Sequence, residues 1–89
     1  MNMTSQQLAI TDAQIEDDLV SAAAYGLGWG YCAFAIGAGT IREVLGAADS
    51  SPRALKIAFN LGRPRIARTL IALSPPADGQ RVIVRDLLP

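Results

Sequence analysis

The sequence predicts a mainly α fold: a helical domain with a helix-turn-helix and a short, wing-like strand at its C-terminus. Three observations carry this expectation. Helix-capping signatures precede apolar residues spaced three and four apart at several points. A glycine and a proline, Gly62 and Pro64, divide two helical runs by only a few residues. The closing stretch "QRVIVRDLLP" changes period, with Val82 and Val84 alternating against Ile83 and Arg85 as in a strand.

The elements follow in order. Residues 1–10 read as a flexible N-terminus, and residues 11–89 as one domain. Thr11 and Gln14 form a capping box, Ile10 can staple onto Ile15, and Asp12 suits the positive end of a helix dipole, which places a first helix over residues 12–24. Residues 26–39, "GLGWGYCAFAIGAG", read as a buried, closely packed turn and short helix, with Trp29, Tyr31 and Phe34 filling core. The 23 residues from Leu19 to Ile41 carry no charge and are long enough to span a bilayer. Their many glycines, moderate hydropathy and lack of basic anchors disfavour that reading. The Gly26, Gly28, Gly30 spacing is too incomplete for a phosphate loop. Thr40 and Glu43 repeat the capping box and open a short helix. Ser51 and Pro52 start another, with Leu55, Ala58 and Phe59 inward and Arg53, Lys56 and Asn60 outward. Gly62 ends it in a left-handed cap, and Pro64 opens the next helix with Ile66, Leu70 and Leu73 as its apolar edge. The prolines at 75 and 76 stop it.

Composition narrows the function. Eighty-nine residues make one small domain, and 51% hydrophobic content is too high for disorder. That much apolar material in a small chain favours a homodimer. There is no histidine and a single cysteine, Cys32, so neither a thiol catalytic pair nor a zinc site is expected, and a reducing, cytoplasmic setting fits. The acids at Glu16, Asp17 and Asp18 are consecutive and read as a solvated face of a helix, not a catalytic pair. No enzyme activity, cofactor, metal or small-molecule substrate is expected. Net charge is zero but unevenly spread: residues 1–50 carry −5 and residues 51–89 carry +5.

The basic half carries the functional expectation. A helix-turn-helix braces one helix on the DNA backbone and lays the second in the major groove, its amino end supplying the donors. Arg63, Arg65 and Arg68 occupy that end of the second helix. Arg53, Lys56 and Asn60 lie on the bracing helix, and Arg81 and Arg85 lie beside the wing, where they meet phosphates. These eight residues form the expected DNA-binding site, each weighed against an ordinary snorkelling surface side chain.

Two resemblances attach to the same stretch. "IAFN" at residues 57–60, "RIAR" at 65–68 and "PADG" at 76–79 together resemble the winged-helix gamma domain of FtsK-type DNA translocases. The likeness covers roughly the last 40 residues and implies Asn60, Arg65 and Arg68 as DNA contacts. It departs from the family at residues 61–64, which stand as an insertion, and where "SPP" occupies the place of the first wing strand. No motor domain is present, so the resemblance implies a small bacterial, plasmid or phage repressor. "LKIAFNLGRPRIARTLI" is also similar to one ankyrin repeat, matched at Leu55, Ile57, Ala58, Gly62, Ile66, Leu70 and Ile71, but no second repeat is found 33 residues earlier.

The sequence thus points to a homodimeric transcriptional regulator, with residues 11–50 as its acidic, apolar dimerisation part and residues 51–89 binding duplex DNA. Two alternatives stand beside it. One is a helical protein-interaction module presenting its basic face to an acidic partner; the other is a membrane-associated peptide using residues 19–41.

Overall fold

In the computed structural model, which describes residues 8–73 and 80–88, the chain is a mixed α/β fold. The mainly α expectation is therefore overturned. The region expected as a first helix and a glycine-rich turn is a sheet. Its strands are β1 (Ala9–Ile10), β2 (Gln14–Glu16), β3 (Leu19–Gly26) and β4 (Gly30–Gly37). Three helices follow, α1 (Ala38–Leu45), α2 (Pro52–Leu61) and α3 (Arg63–Leu73), and then β5 (Val82–Val84). β3 and β4 pair antiparallel over their whole length, from Leu19 opposite Gly37 to Gly26 opposite Gly30. β1 and β2 both pair antiparallel with β3 on one side, and β5 lies parallel to β4 on the other.

The physical cause of the misreading lies in residues 10–24. Ile10 sits opposite Ala24 and Gln14 opposite Ser21, so residues 11–13 face only residues 22 and 23. One extra residue makes a β-bulge, which shifts the alternation of inward side chains. The Thr11 amide donates to the Ala23 carbonyl at 2.9 Å, and the Ala23 amide donates to the Thr11 hydroxyl at 2.9 Å. The Thr11 hydroxyl thus serves the sheet where the sequence expected a helix cap. Ile10, Ala13 and Ile15 all contribute to the core, and that uneven spacing imitates a helical period. In β3 the alanines at 22, 23 and 24 hide the two-residue period, since alanine suits either face.

Turn chemistry closes both hairpins. Asp17 and Asp18 form the two-residue connection between β2 and β3, with Asp17 at φ 52°, a conformation that aspartate tolerates better than bulkier residues. Residues 27–29 connect β3 to β4, with Gly28 at φ 77°. β4 runs directly into α1. Gly37, in extended conformation, holds the capping position without a side-chain bond, so Thr40 is not the cap the sequence suggested. The Ala38 amide instead donates to the Asp18 carbonyl at 2.8 Å, tying the helix start to the first hairpin turn.

The helical expectations from residue 51 onward fare better. Ser51 is the cap of α2, its hydroxyl accepting from the Ala54 amide at 3.2 Å, with Pro52 at the first helical position. α2 and α3 form where the periodicity placed them. The joint differs. Gly62 has φ −92° and ψ 4°, not a left-handed cap; its amide bonds back to Ala58 and its carbonyl accepts from Ile66. One right-handed residue joins two helices, and no open turn separates them. Glycine leaves room for Leu45, because a Cβ there would lie 2.6 Å from a Leu45 methyl, which would have to turn aside. Residues 74–79, including the stop at 75–76 and the "PADG" turn, lie outside the described residues.

The core lies between one face of the sheet and the helices. Val20, Ala24, Phe34, Ile36 and Val84 meet Ile41, Leu55, Phe59, Ile66 and Leu70, all buried. Phe34 and Phe59 stack with centroids 6.4 Å apart, joining sheet to helices. The parallel β4–β5 pair requires a long crossover, and α1 to α3 provide it. β5 is thus the last strand of a sheet, not a free wing.

Candidate functional site

The eight residues expected to bind DNA do not gather on one surface. Arg63 and Arg65, at the amino end of the supposed recognition helix, are used within the fold. Arg63 donates to the carbonyl of Ile10 and, at 3.4 Å, to that of Thr11; its Nε donates to Asn60 Oδ1 at 3.1 Å. Its guanidinium also lies 5.4 Å from the Phe59 ring centroid and 3.7 Å from the Asp12 carboxylate. Arg63 therefore pins the bulged edge of the sheet to the α2–α3 joint. Asp12 is almost fully exposed, so this ion pair adds little.

Arg65 holds a second seam. Its Nη1 donates to the Val44 carbonyl at 2.9 Å, in the last turn of α1, and its Nε donates to the Leu88 carbonyl at 3.0 Å. A cation at a helix C-terminus satisfies a carbonyl that has no helical partner. The Thr69 hydroxyl, which donates to the Arg65 carbonyl at 2.8 Å, accepts from the Leu88 amide at 2.9 Å. Together they anchor the C-terminal segment and seat Leu87 in the core. Neither arginine is poised for a groove in the way the helix-turn-helix expectation required.

The remaining members divide among three regions. Arg53, Lys56 and Asn60 are exposed and follow one side of α2. Arg81 and Arg85 are exposed at the two ends of β5, on the sheet, and Arg68 is exposed on α3. No helix among the described residues is long and apolar enough to cross a membrane, and residues 19–26 and 30–37 of the suspected span are strands. Cys32 is buried, its thiol donates to the Ala33 carbonyl at 3.3 Å, and burial pushes its pKa up; both effects disfavour the reactive thiolate. Among the described residues no group of three or more His, Cys, Asp or Glu side chains could hold a metal ion.

Two surfaces that the motif search passed over stand out. The first is a groove of about 220 Å3 between the end of α1 and the outer side of α2. Leu45, Ala47, Ala48, Ala54 and Ala58 form its floor and walls. Ile57 and Leu61, one helical turn apart, border it with 51% and 79% of their surface exposed. Arg53, Lys56 and Asn60 run along the neighbouring polar side of the same helix. The signal was legible: Ile57 and Leu61 repeat at four residues, off the inward stripe of Leu55, Ala58 and Phe59.

The second surface is the sheet face turned away from the helices. A depression of about 510 Å3 lies on it, with Ser21, Ala23 and Ala33 below and Gln14, Tyr31 and Arg81 around it. Tyr25 and Tyr31 are cross-strand partners, 50% and 66% exposed. This surface could not be read while β3 and β4 were taken as helix and turn. No family model, no curated protein and no solved structure matches this chain, so its function rests on these surfaces alone.

Proposed function

We propose that the chain is a protein-interaction module whose groove between α1 and α2 takes an amphipathic, acidic segment of another protein. The observation that carries this reading is the exposure of Ile57 and Leu61 over a groove floored by small side chains. A pair of aliphatic residues one turn apart is the pattern that an apolar helix edge packs against. The alanines allow close approach. Arg53 and Lys56, beside them on α2, would meet carboxylates on the polar side of the incoming segment, which favours an acidic partner over a basic one. Arg63 and Arg65 support the frame from behind and take no part in contact.

The test is a selection from a displayed random-peptide library against the full chain. Enriched peptides should carry aliphatic residues at helical spacing with acids between them. Leu61→Glu should weaken their binding at least about tenfold, as loss of a central apolar anchor does. Enriched peptides without that pattern, or indifferent to Leu61→Glu, would remove the reading.

A second reading, nucleic-acid binding without a helix-turn-helix, is favoured by one specific observation. Residues 51–73 carry Arg53, Lys56, Arg63, Arg65 and Arg68 and no acidic residue. Duplex DNA retained at low salt, with an affinity that falls steeply as salt rises and that Arg53→Ala and Lys56→Ala reduce, would replace the first reading with this one.

A further inference from the structure

We infer that two copies of the chain associate through the open faces of their sheets, related by a twofold axis that runs parallel to the strands. The strand register fixes which residues lie on that face. Across β2, β3, β4 and β5 one row reads Gln14, Ser21, Ala35, Ile83. The neighbouring row toward the first hairpin turn reads Glu16, Leu19, Gly37, with Arg85 beyond the end of β5. In the other direction come the bulge residues Thr11 and Asp12, then Ala23, Ala33 and Arg81, and finally Ala9, Tyr25 and Tyr31.

The two central strands, β3 and β4, thus place no charge on this face. Their residues there are the exposed Tyr25 and Tyr31, the half-buried Leu19, Ser21, Ala23, Ala33 and Gly37, and Ala35, which is already buried within the chain. An antiparallel sheet with a solvated face ordinarily alternates polar residues onto it. Charge appears only at the two sides, and with opposite sign: Asp12 and Glu16 on the β1–β2 side, Arg81 and Arg85 on the β5 side. Glu16, Arg81 and Arg85 have no ion pair among the described residues. An apolar centre between charged margins is the anatomy of a contact surface.

The arrangement of charge selects both the occupant and the axis. A twofold axis along the strands lays the β1–β2 side of one copy over the β5 side of the other, row on row. Glu16 then faces the second copy's Arg85, and Asp12 the second copy's Arg81, each contact occurring twice. An axis across the strands would lay each side on itself with the rows reversed, setting Glu16 toward Asp12 and Arg85 toward Arg81, and like charges would oppose it. The alanines and Ser21 permit close approach, and Gln14 and Arg81 are the long side chains able to fill the opposing depression. Four strands about 4.8 Å apart and rows about 6.8 Å apart give a face of roughly 400–500 Å2 per copy, about 800–1,000 Å2 in total, which is the size of a weak, transient contact. Weak, reversible association is the expectation for a face of that size.

Sedimentation velocity over a concentration series tests this. The wild-type chain should pass from monomer to dimer, with dissociation promoted by salt. Arg85→Glu and Glu16→Arg should each weaken association about tenfold or more, since each variant places like charges together twice. The combined variant, which exchanges the two signs, should recover an association constant within about threefold of wild type. All four positions of substitution and contact are exposed, and unchanged circular dichroism confirms that each variant folds. A chain monomeric at every concentration, single variants without effect, or a combined variant that does not recover would each overturn the inference.

Discussion

The sheet has two sides built from the same two strands, and they follow different rules. Toward the helices, Val20, Phe34 and Ile36 are completely buried, and Phe34 stacks on Phe59. Away from them, the intervening positions carry alanine, serine and half-exposed tyrosine. In β4 the large side chains of Phe34 and Ile36 fill the covered side, whereas Ala33, Ala35 and Gly37 are small on the other. There Tyr25 and Tyr31 are the exposed large residues of the two strands. The difference teaches that burial alone sets the first side, whereas the second is suited to a surface supplied from outside the chain.

The largest expected effect separates the sides directly. Phe34→Ala removes a fully buried ring at the joint of sheet and helices and should cost about 3–5 kcal/mol of unfolding free energy, as phenylalanine-to-alanine changes in cores do. Tyr31→Ala, three residues earlier on the other side, should cost under about 1 kcal/mol at concentrations where the chain is monomeric. Urea unfolding at low protein concentration measures both. Equal losses would mean that the open side is part of the monomer's core, and the comparison would collapse.

A smaller effect tests how closely the covering layer is fitted. A Cβ at Gly62 would meet the Leu45 side chain at 2.6 Å, too close for either to stay in place. Gly62→Ala should therefore destabilise by no more than about 1 kcal/mol, since the Leu45 methyls can turn aside. In a Leu45→Ala background the same change should cost less, because the obstructing methyls are gone. An additive double-mutant cycle would show that the added methyl and Leu45 do not obstruct each other.

These two positions also show how far the sequence could be read. Ser51, Pro52 and the Leu55–Ala58–Phe59 stripe located α2 because capping and a helical period are local signals. β5 was legible from Val82 and Val84 alternating against Ile83 and Arg85. The sheet was not, because its signals are non-local or were masked. The bulge at residues 11–13 breaks alternation, and three consecutive alanines give no preference of face. A capping box at Thr11 was real in composition but was spent on a strand partner. The glycine at 62 was identified and its reason mistaken, since a contact with Leu45 from another helix cannot be read from neighbours in the chain. Of the proposed DNA contacts, Arg63 and Arg65 proved to hold carbonyls 53 and 21 residues away in sequence, again a relation that only the fold reveals.

The smallest effect belongs to the start of α2, which lies in the covering layer and touches neither the open side nor its charges. Ser51→Ala removes the bond to the Ala54 amide and should cost about 1 kcal/mol, the usual loss of a serine cap. The same turn is sensitive to pH. The Ser51 amide donates to Asp49 Oδ1 at 2.7 Å, and hydrogen bonds from the Ser51 hydroxyl and amide hold the Asp49 carboxyl below its ordinary value of 3.8. A carboxyl lowered in the folded state binds fewer protons than in the unfolded chain, so its contribution is full above that ordinary value. It fades as pH falls through 3.8 and then through the lower folded value. Thermal unfolding between pH 6 and pH 3 should therefore fall more steeply for the wild-type chain than for Asp49→Asn, while dimer dissociation measured at pH 6 should be the same for both. Parallel pH profiles would show that the turn does not depend on the carboxylate. A changed dissociation constant at pH 6 would show that the two sides of the sheet are coupled, against the independence on which their comparison rests.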